Sequence, residues 1–311
     1  MYKISHKNIY THEGVLMTNL ESGAEVSILV TQGGAIHALL LSHQNNLVST
    51  IAGNENQMDF IQNVSYRGSK LSPFPNRIEN GTYSFENQKY QLPCNNGAHS
   101  LHGLLCNSVF EIVKELVTDT FAEIKLTYSY DGTDSGYPFL YTIDITYNLS
   151  NTGLRIQTEI KNSGTTEMPI GDGWHPYIRV TNKVDDLLLQ IPSHKKMILN
   201  ATGIPTGEYA LKQFFTAPTK IGADLFDDCF ELYGSNDGFQ TKLIDVVNNR
   251  TLIVWQDQHY KYLQVYIPPD RKSIAIEPMT CAPNAFNSGL GLLVLKPNDF
   301  ITFTFGILIT D

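Results

Sequence analysis

A carboxylate stands at the end of an apparent β-strand in the stretch SIAIEPMTCAPNAFN, residues 273–287. With a period of two, its isoleucines share one face, while Ser273, Ala275 and Glu277 share the other. Glu277 therefore lies off the apolar face, after two small side chains that leave space for a molecule against the sheet. A carboxylate in that position could accept a proton from a bound ligand.

Histidines occur in two other Gly-rich stretches, in the kind of loop that commonly presents functional side chains. NNGAHSLHGLL contains His99 and His102, and PIGDGWHPYIRV contains His175 beside Trp174. An aromatic ring next to an imidazole suits a sugar, whose C–H faces stack on indole. His99 or His102 taken singly is better explained as a structural loop residue. For PIGDGWHPYIRV the structural alternative is a core Trp174 with His175 packed at a strand edge. The HxxH spacing permits a metal pair, but no third ligand is identifiable, and we expect no metal.

Two further stretches place charged side chains in rigid or turn-like context. In SPFPNRIENGTY, two prolines stiffen the approach to Asn76 and Arg77. The guanidinium offers fixed donors that suit sugar hydroxyls or a carboxylate. In LFDDCFEL, Asp227 and Asp228 are adjacent acidic candidates. A loop-bracing arginine and a solvated acidic turn are the structural alternatives.

Together these residues favour acid/base chemistry on a polar small molecule. An imidazole and a carboxylate in one cleft supply a general acid and a general base. The sequence contains no GxGxxG, Walker-type or GxSxG motif, which argues against a nucleotide site and a serine nucleophile. No organic cofactor is therefore expected.

Alternating strands must position these side chains. Residues 141–150 place Tyr141, Ile143, Ile145, Tyr147 and Leu149 on one face, and residues 300–309 do the same with Ile301, Phe303, Phe305, Ile307 and Ile309. Such alternation is typical of half-buried antiparallel strands. Turn signals predict hairpins around 85–90, 151–153 and 247–250. Short helical turns are predicted only near 55–62 or 222–230.

The pattern continues from about residue 13 to residue 310 without a linker, a repeat or a shift in composition. We therefore predict one all-β domain over residues 1–311, built as a large antiparallel sandwich or barrel.

Composition excludes some classes of partner. The 311 residues carry a net charge of -9, which argues against nucleic acid and anionic membranes. No apolar run approaches the ~18 residues of a membrane span, and the start of the chain lacks the apolar core of a signal peptide. The cysteines form no CxxC pair, so reduced thiols and a cytoplasmic location are expected; they are Cys94, Cys106, Cys229 and Cys281.

The motifs occur in an order that resembles the aldose 1-epimerases, also called galactose mutarotases. The resemblance extends from TQGGAIHALLL to the last strand. Its landmarks are NRIENGTYSFENQKYQL (76–92), NNGAHSLHG (95–103), GWHPY (173–177), FDDCF (226–230) and EPMTCAPNAFN (277–287). Departures are HGLL where galactose-specific members have HGG, EP where they often have Glu-Thr, and GDGWHPY in place of an NHxYFN type. The chain thus resembles a divergent branch of the family.

The resemblance implies a large β-sandwich, sometimes called a supersandwich, and interconversion of the α and β anomers of a free aldose without cofactor or metal. It implies that Glu277 is the base on the C1 hydroxyl, with His175 the acid on the ring oxygen and His102 a second donor. It also implies that Arg77 and Asp227 bind substrate. Further expected substrate-binding residues are Asn76 and Trp174, and Asp228 replaces Asp227 if the alignment shifts by one residue.

Other functions stay open from sequence. A hexose-6-phosphate 1-epimerase could bind phosphate through Arg67 and Lys70 in YRGSKLSP. A non-catalytic carbohydrate-binding module on the same fold is a second alternative. A glycoside hydrolase using Glu277 and Asp227 is a third, which requires a set carboxylate separation. The expected partner is a monosaccharide, and the expected assembly is a monomer or homodimer.

Overall fold

The fold is described by a computed structural model that covers residues 1–210, 214–234 and 236–311. Strands dominate it, and each named strand pairing within those ranges is antiparallel. The predicted all-β class is confirmed. None of the helices in the described ranges is long and apolar enough to cross a membrane.

The strands of the first half of the chain are β1 (Tyr2–Ile9), β2 (His12–Asn19), β3 (Glu25–Leu29), β4 (Ala35–His43), β5 (Asn46–Ser49), β6 (Lys70–Leu71), β7 (Arg77–Ile78), β8 (Thr82–Phe85), β9 (Gln88–Gln91), β10 (Ser100–Leu101), β11 (Glu111–Val117), β12 (Phe121–Tyr130), β13 (Tyr141–Ser150) and β14 (Gly153–Asn162). Those of the second half are β15 (Met168–Ile170), β16 (Gly173–Trp174), β17 (Tyr177–Ile178), β18 (Leu188–Gln190), β19 (His194–Leu199), β20 (Pro205–Tyr209), β21 (Thr219–Lys220), β22 (Asp227–Leu232), β23 (Phe239–Asp245), β24 (Arg250–Gln256), β25 (Tyr262–Tyr266), β26 (Ile274–Met279), β27 (Leu293–Leu295) and β28 (Phe300–Thr310). The helical elements are α1 (Gln57–Gln62), α2 (Ala285–Ser288) and 3-10 turns at Glu79–Gly81 and Val184–Asp186.

These strands form three large sheets. A five-stranded sheet runs β1-β2-β3-β4-β5, and a nine-stranded sheet runs β11-β12-β13-β14-β28-β24-β23-β18-β21. An eight-stranded sheet runs β20-β19-β22-β25-β26-β16-β6, with β17 also paired to β26. Two-stranded pairs join β7 to β10, β8 to β9 and β15 to β27.

The nine-stranded sheet carries the alternation that the sequence predicts. In β13 the five predicted core residues are buried and the residues between them are half-exposed. In β28 the central residues Phe303, Phe305 and Ile307 are buried, while Ile301 and Ile309 near its ends are partly buried and pack against the same core. Burying each such side chain contributes roughly 1.5–3 kcal/mol, which fixes the register of both strands.

The predicted turns are largely confirmed. Hairpins join β8 to β9, β13 to β14 and β23 to β24 at the expected places. Helix α1 lies within the first predicted helical stretch, where the Asn56 side chain accepts hydrogen bonds from two backbone N–H groups of the first turn. The alternative at 222–230 is wrong, because the chain enters strand β22 there.

The eight-stranded sheet packs one face against the nine-stranded sheet. Trp174 of β16 lies against Tyr147 and Phe305, with ring centroids 6.1 and 5.6 Å away. One contiguous core cluster includes side chains from Tyr2 to Ile307. The interpretation of residues 1–311 as a single domain stays a prediction. The other face of the eight-stranded sheet is covered by loops, and the candidate site lies there.

Candidate active site

Three neighbouring strands bring polar side chains to one face of the eight-stranded sheet. Gln264 of β25 is directly opposite Glu277 of β26, and Asp227 of β22 is directly opposite Tyr266 of β25. Directly opposed residues share a face, and so do residues two apart along a strand. Asp227, Gln264 and Glu277 must therefore point to the same side.

A cleft of about 250 Å³ lies over this face. Six of the seven predicted site residues line it: Asn76, Arg77, His102, His175, Asp227 and Glu277. Eight other lining residues were not predicted as site residues: Val64, Ser65, Tyr66, Asn96, Leu101, Tyr177, Gln264 and Tyr266. Gln264 could have been inferred from the alternation in YLQVY, which places it between two tyrosines of the same face. The cleft is polar, ringed by aromatic side chains and roughly the size of one sugar ring.

Glu277 and His175 face each other in the cleft. Nε2 of His175 lies 3.4 Å from Oε1 of Glu277. Glu277 is 1% exposed, and its second carboxylate oxygen has no hydrogen-bond partner within the described ranges. Burial raises the pKa of Glu277 well above its usual range, the charge of Asp227 raises it further, and Arg77 acts in the opposite direction. A carboxylate with a raised pKa is a stronger base once ionised.

His175 is held by the backbone and by a stacked ring. The backbone N–H of His175 donates to the backbone carbonyl of Ser69 (3.1 Å), and its backbone carbonyl accepts from the N–H of Gly68 (2.9 Å). Its imidazole stacks on Tyr177 with a centroid distance of 4.9 Å and an interplanar angle of 9°. Burial lowers the pKa of His175 to about 3. With the proton affinity of Glu277 raised and that of His175 lowered, the pair holds one proton between them over a wide pH range.

His102 presents a fixed tautomer. The backbone N–H of His102 donates to the backbone carbonyl of Asn76 (2.8 Å). The imidazole Nδ1 of His102 accepts the backbone N–H of Asn76 (3.2 Å). Burial lowers the pKa of His102 well below its usual range, with the charges of His175 and Arg77 acting in the same direction. A neutral imidazole that accepts at Nδ1 carries its proton on Nε2. His102 is therefore a hydrogen-bond donor through Nε2.

The same tautomer bears on metal binding. Ligand atoms of His102, His175 and Glu277 all lie within 4.8 Å of one another, a spacing that could surround a cation. A metal-bound imidazole needs a free lone pair, and its other nitrogen normally donates a hydrogen bond. His102 has the reverse arrangement, because Nδ1 accepts from Asn76 and Nε2 carries the proton. These three residues therefore fit acid/base chemistry better than a metal.

A hydrogen-bonded chain fixes the residues on the other wall. Arg77 donates from Nη1 to Oδ1 of Asn76 (3.2 Å), and Asn76 donates from Nδ2 to Oε1 of Gln264 (3.3 Å). Gln264 donates from Nε2 to Oδ1 of Asp227 (2.8 Å). Asp228 points away and forms an ion pair with Lys196 at 2.9 Å. Of the two adjacent aspartates, Asp227 is thus the one that lines the cleft.

Trp174 does not line the cleft, and its prediction as a sugar-binding residue is wrong. It is completely buried and packs into the core on the opposite side of the sheet. Successive residues of an extended chain point in opposite directions, so His175 can face the cleft only if Trp174 faces the core.

The two residues proposed for phosphate binding are also placed elsewhere. Lys70 is completely buried and lies 2.5 Å from the carboxylate of Asp172. The guanidinium of Arg67 lies over the ring of Tyr177 at 4.4 Å and donates to the carbonyl of Ala52 at 3.3 Å. Neither residue lines the cleft. His99 also lies outside the cleft, and its Nδ1 accepts the backbone N–H of Asn80 at 3.0 Å.

Comparisons with known proteins identify the family of the chain. The family model described as aldose 1-epimerase matches residues 17–308. The chain is 33% identical over 242 residues to a protein of Escherichia coli K12 described as the uncharacterized protein YihR, covering 75% of this chain and 76% of that protein. It is 26% identical over 225 residues to the galactose mutarotase of Sus scrofa, covering 69% of this chain and 64% of that protein.

Solved structures share the fold. A galactose mutarotase-like protein from Clostridium acetobutylicum superimposes with a TM-score of 0.89 at 21% identity, covering 99% of this chain and 98% of that one. A galactose 1-epimerase from Lactobacillus acidophilus gives a TM-score of 0.82 at 17% identity, covering 100% of this chain and 98% of that one. The predicted supersandwich fold is confirmed.

Proposed function

The chain belongs to the aldose 1-epimerase family, and we propose that it is an isomerase interconverting the α and β anomers of a free aldose. The observation that carries this proposal is the Glu277–His175 pair, 3.4 Å apart and buried in a polar cleft sized for one sugar ring. A base and an acid this close can act on the two oxygens bonded to one anomeric carbon.

In the proposed reaction, the carboxylate of Glu277 takes the proton of the C1 hydroxyl. His175 gives a proton to the ring oxygen O5, and the C1–O5 bond breaks to leave an open-chain aldehyde. Rotation about C1–C2 presents the other face of the aldehyde to the hydroxyl at C5. Reclosure returns the protons along the same routes and yields the other anomer.

This reaction conserves the proton of the catalytic pair. Ring opening starts from ionised Glu277 and protonated His175, and it ends with protonated Glu277 and neutral His175. Burial favours the state with protonated Glu277 and neutral His175, because it disfavours the charged form of each group. In the state with ionised Glu277 and protonated His175, the two opposite charges lie 3.4 Å apart, and their attraction offsets part of the cost of burying them. One proton therefore suffices for every turnover.

The other cleft residues have binding roles in this proposal. His102 donates from Nε2 to the ring oxygen, where negative charge would otherwise develop. Arg77 donates to sugar hydroxyls, and Asp227 accepts from them. Asn76 and Gln264 hold these two side chains in place through the hydrogen bonds described above.

The relatives support a hexose as substrate. Proteins from Sus scrofa and Bos taurus that resemble this chain are named galactose mutarotase. Galactose and glucose are therefore the first sugars to test. A neutral sugar suits the cleft better than a sugar phosphate, because Lys70 and Arg67 do not reach it. We also propose a cytoplasmic location, in keeping with four cysteines that are free thiols.

The test is anomer exchange measured by NMR or polarimetry on freshly dissolved aldoses. The wild-type protein should accelerate exchange of at least one common hexose above the buffer rate. Glu277→Gln should lower kcat by about 10²–10⁴-fold, because an amide cannot accept the C1 proton. Glu208→Gln, at an exposed position of β20, is the matched control and should leave the rate unchanged. No acceleration for any aldose would contradict the proposal and favour a non-catalytic sugar-binding module.

A further inference from the structure

The ring of Tyr177 contacts two other flat side chains, and one of them is His175. The imidazole lies nearly parallel to the ring, with centroids 4.9 Å apart and an interplanar angle of 9°. The guanidinium carbon of Arg67 lies over the same ring, 4.4 Å from its centroid. The charge of Arg67 is therefore within about 10 Å of the imidazole, a distance over which salt screens partly buried charges only weakly.

The turn that carries Arg67 also holds the backbone of His175. The N–H of Gly68 donates to the carbonyl of His175 at 2.9 Å, and the carbonyl of Ser69 accepts the N–H of His175 at 3.1 Å. Gly68 has a φ of +68°, and a Cβ placed on it would collide with the carbonyl oxygen of Ile36, so only glycine fits this turn. Arg67 therefore extends from a backbone that is fixed relative to His175.

Ala52 connects the side chain of Arg67 to Tyr177. The carbonyl of Ala52 accepts from Nη1 of Arg67 at 3.3 Å, and the N–H of Ala52 donates to the backbone carbonyl of Tyr177 at 2.9 Å. Arg67 is half-buried and does not line the cleft. It forms no ion pair with any residue that the structure describes. Its positive charge is thus held beside Tyr177 without a carboxylate partner.

The other charged and titratable groups around His175 come from several elements. They are Glu277 of β26, His102 after β10, Arg77 of β7, Asp227 of β22, Tyr177 of β17, and Tyr66 and Tyr266 of the cleft wall. The three tyrosines stay neutral at neutral pH, because burial raises the pKa of each. Burial likewise keeps His102 neutral by lowering its pKa. Burial is also the main cause of the low pKa of His175, and the charge of Arg67 lowers it further.

We infer that Arg67 is a positioning residue for the proposed reaction: it holds Tyr177 against His175, and its charge disfavours a positive charge on the imidazole. This inference rests on the function proposed for the cleft. The pair of Glu277 and His175 works with one shared proton, and a second proton would leave no base for the C1 hydroxyl. A cation fixed near the imidazole opposes that second proton by Coulomb repulsion. The stacked ring keeps Nε2 of His175 directed at Glu277.

The pH profile tests the charge of Arg67. In Arg67→Met the acid limb of kcat/KM, the fall in activity at low pH, should move up by about 1 pH unit, whereas Arg67→Lys keeps the charge and should stay close to wild type. Arg155→Met is the matched control, because Arg155 is exposed on β14 and donates to Gln157 at 2.9 Å; its profile should equal that of the wild type. An acid limb that Arg67→Met leaves in place, or that Arg67→Lys displaces equally, would overturn the inference.

A double-mutant cycle tests whether Arg67 acts through Tyr177. Arg67→Met should lower kcat by about tenfold with little change in KM, because Arg67 does not line the cleft. In a Tyr177→Leu background the same substitution should lower kcat by less than about twofold, since the ring that Arg67 holds is then absent. Equal losses of kcat in the two backgrounds would overturn the positioning role.

NMR of the His175 imidazole separates this inference from the proposed function. The nitrogen resonances of the ring report its protonation without any turnover, and their loss in His175→Gln assigns them. As the pH is lowered to the acid limit of the folded protein, His175 should take up its proton in Arg67→Met about 1 pH unit above wild type. That displacement in a protein that exchanges no anomers would overturn the proposed function and keep the charge effect of Arg67. Superimposed titration curves in a protein that does exchange anomers would overturn the role of Arg67 and leave the proposed function intact.

Discussion

Glu277 and His175 need one shared proton for the proposed reaction, and this requirement predicts the pH dependence. Activity is lost in acid when the pair takes up a second proton. Because burial lowers the pKa of His175 to about 3, that loss should fall below the ~6.5 of an ordinary imidazole. Activity is lost in alkali when the pair loses its only proton, above the usual pKa of a glutamate because burial also raises the pKa of Glu277. We therefore expect a broad plateau of kcat/KM across mildly acidic pH.

The profile is measured as enzyme-catalysed anomer exchange after subtraction of the buffer rate at each pH. kcat/KM is the appropriate quantity, since it reports the ionisation of the free protein. An acid limb with its midpoint at or above ~6.5 would contradict the buried, uncharged His175 of the structure.

The tautomer of His102 leads to a second residue-scale prediction. In His102→Gln the amide nitrogen can replace the Nε2–H donor. In His102→Asn the shorter side chain can replace Nδ1, which accepts from Asn76, but it offers no donor at the position of Nε2. If donation to the ring oxygen is the role of His102, the glutamine variant should retain about tenfold more kcat than the asparagine variant. Single-turnover or steady-state anomer exchange measures the difference, and equal loss in both variants would contradict that role.

At the scale of elements, a buried ion pair joins the strands that carry the site. Lys70 of β6 pairs with Asp172, just before β16, and donates to Thr158 of β14 at 3.2 Å. Asp172 also accepts from the hydroxyl of Tyr260 at 2.7 Å, and its N–H donates to Oγ1 of Thr280 at 2.9 Å. The network thus connects the segment before His175 both to the nine-stranded sheet and to the chain that follows β26.

Lys70→Met should destabilise the protein by about 3–5 kcal/mol, because it leaves the Asp172 carboxylate buried without its partner. Lys70→Met combined with Asp172→Leu should recover most of that loss, since both charges are then removed. Urea denaturation followed by circular dichroism measures both values. Lys114→Met is the matched control, since it breaks a largely exposed pair with Glu123 at 2.9 Å and should cost at most about 1 kcal/mol. A double variant as unstable as the single one would contradict this account.

Periodicity predicted some elements well and misplaced one site residue. It succeeded for β13, where one face is buried and the other is half-exposed. It says less about β26, in which all six residues are buried because both faces are covered. The mistake over Trp174 came from grouping it with His175 by proximity in sequence. Applied to GWHPY, a period of two groups His175 with Tyr177 instead, and those two rings do stack.

At the scale of the whole molecule, the sequence could predict the residues of the cleft but not their arrangement. Glu277 and Asp227 belong to strands β26 and β22, which are separated by β25 and are far apart along the chain. The order of strands in a sheet depends on long-range packing that a single sequence does not display. The alternation in YLQVY indicates the face on which Gln264 lies, but only the strand order places it between Asp227 and Glu277.

Burial of titratable groups across the molecule predicts how stability depends on pH. His102, His175 and His194 are at most 6% exposed, and burial lowers the pKa of each. Below their unfolded pKa of ~6.5 the unfolded chain takes up protons that the native protein refuses, so stability falls as pH falls. Burial raises the pKa of Glu277, so the native protein keeps a proton there that the unfolded chain loses. That group opposes the trend, because it stabilises the native state as pH falls.

Burial also lowers the pKa of His12 and His37, and it raises that of Asp172. The histidines with lowered pKa thus outnumber the carboxyl groups with raised pKa, and we expect a net loss of about 1–2 kcal/mol in the free energy of unfolding between pH 6.5 and 5.5. Urea denaturation at pH 7.5, 6.5 and 5.5 measures it. His194→Gln removes one histidine outside the cleft and should reduce the loss. Glu277→Gln removes the opposing group and should increase it. If the two variants change the pH dependence of stability in opposite directions, His194 and Glu277 are among the groups responsible. A general effect of the net charge of -9 would change the pH dependence of both variants almost equally. Stability that rises from pH 6.5 to 5.5 would contradict the prediction.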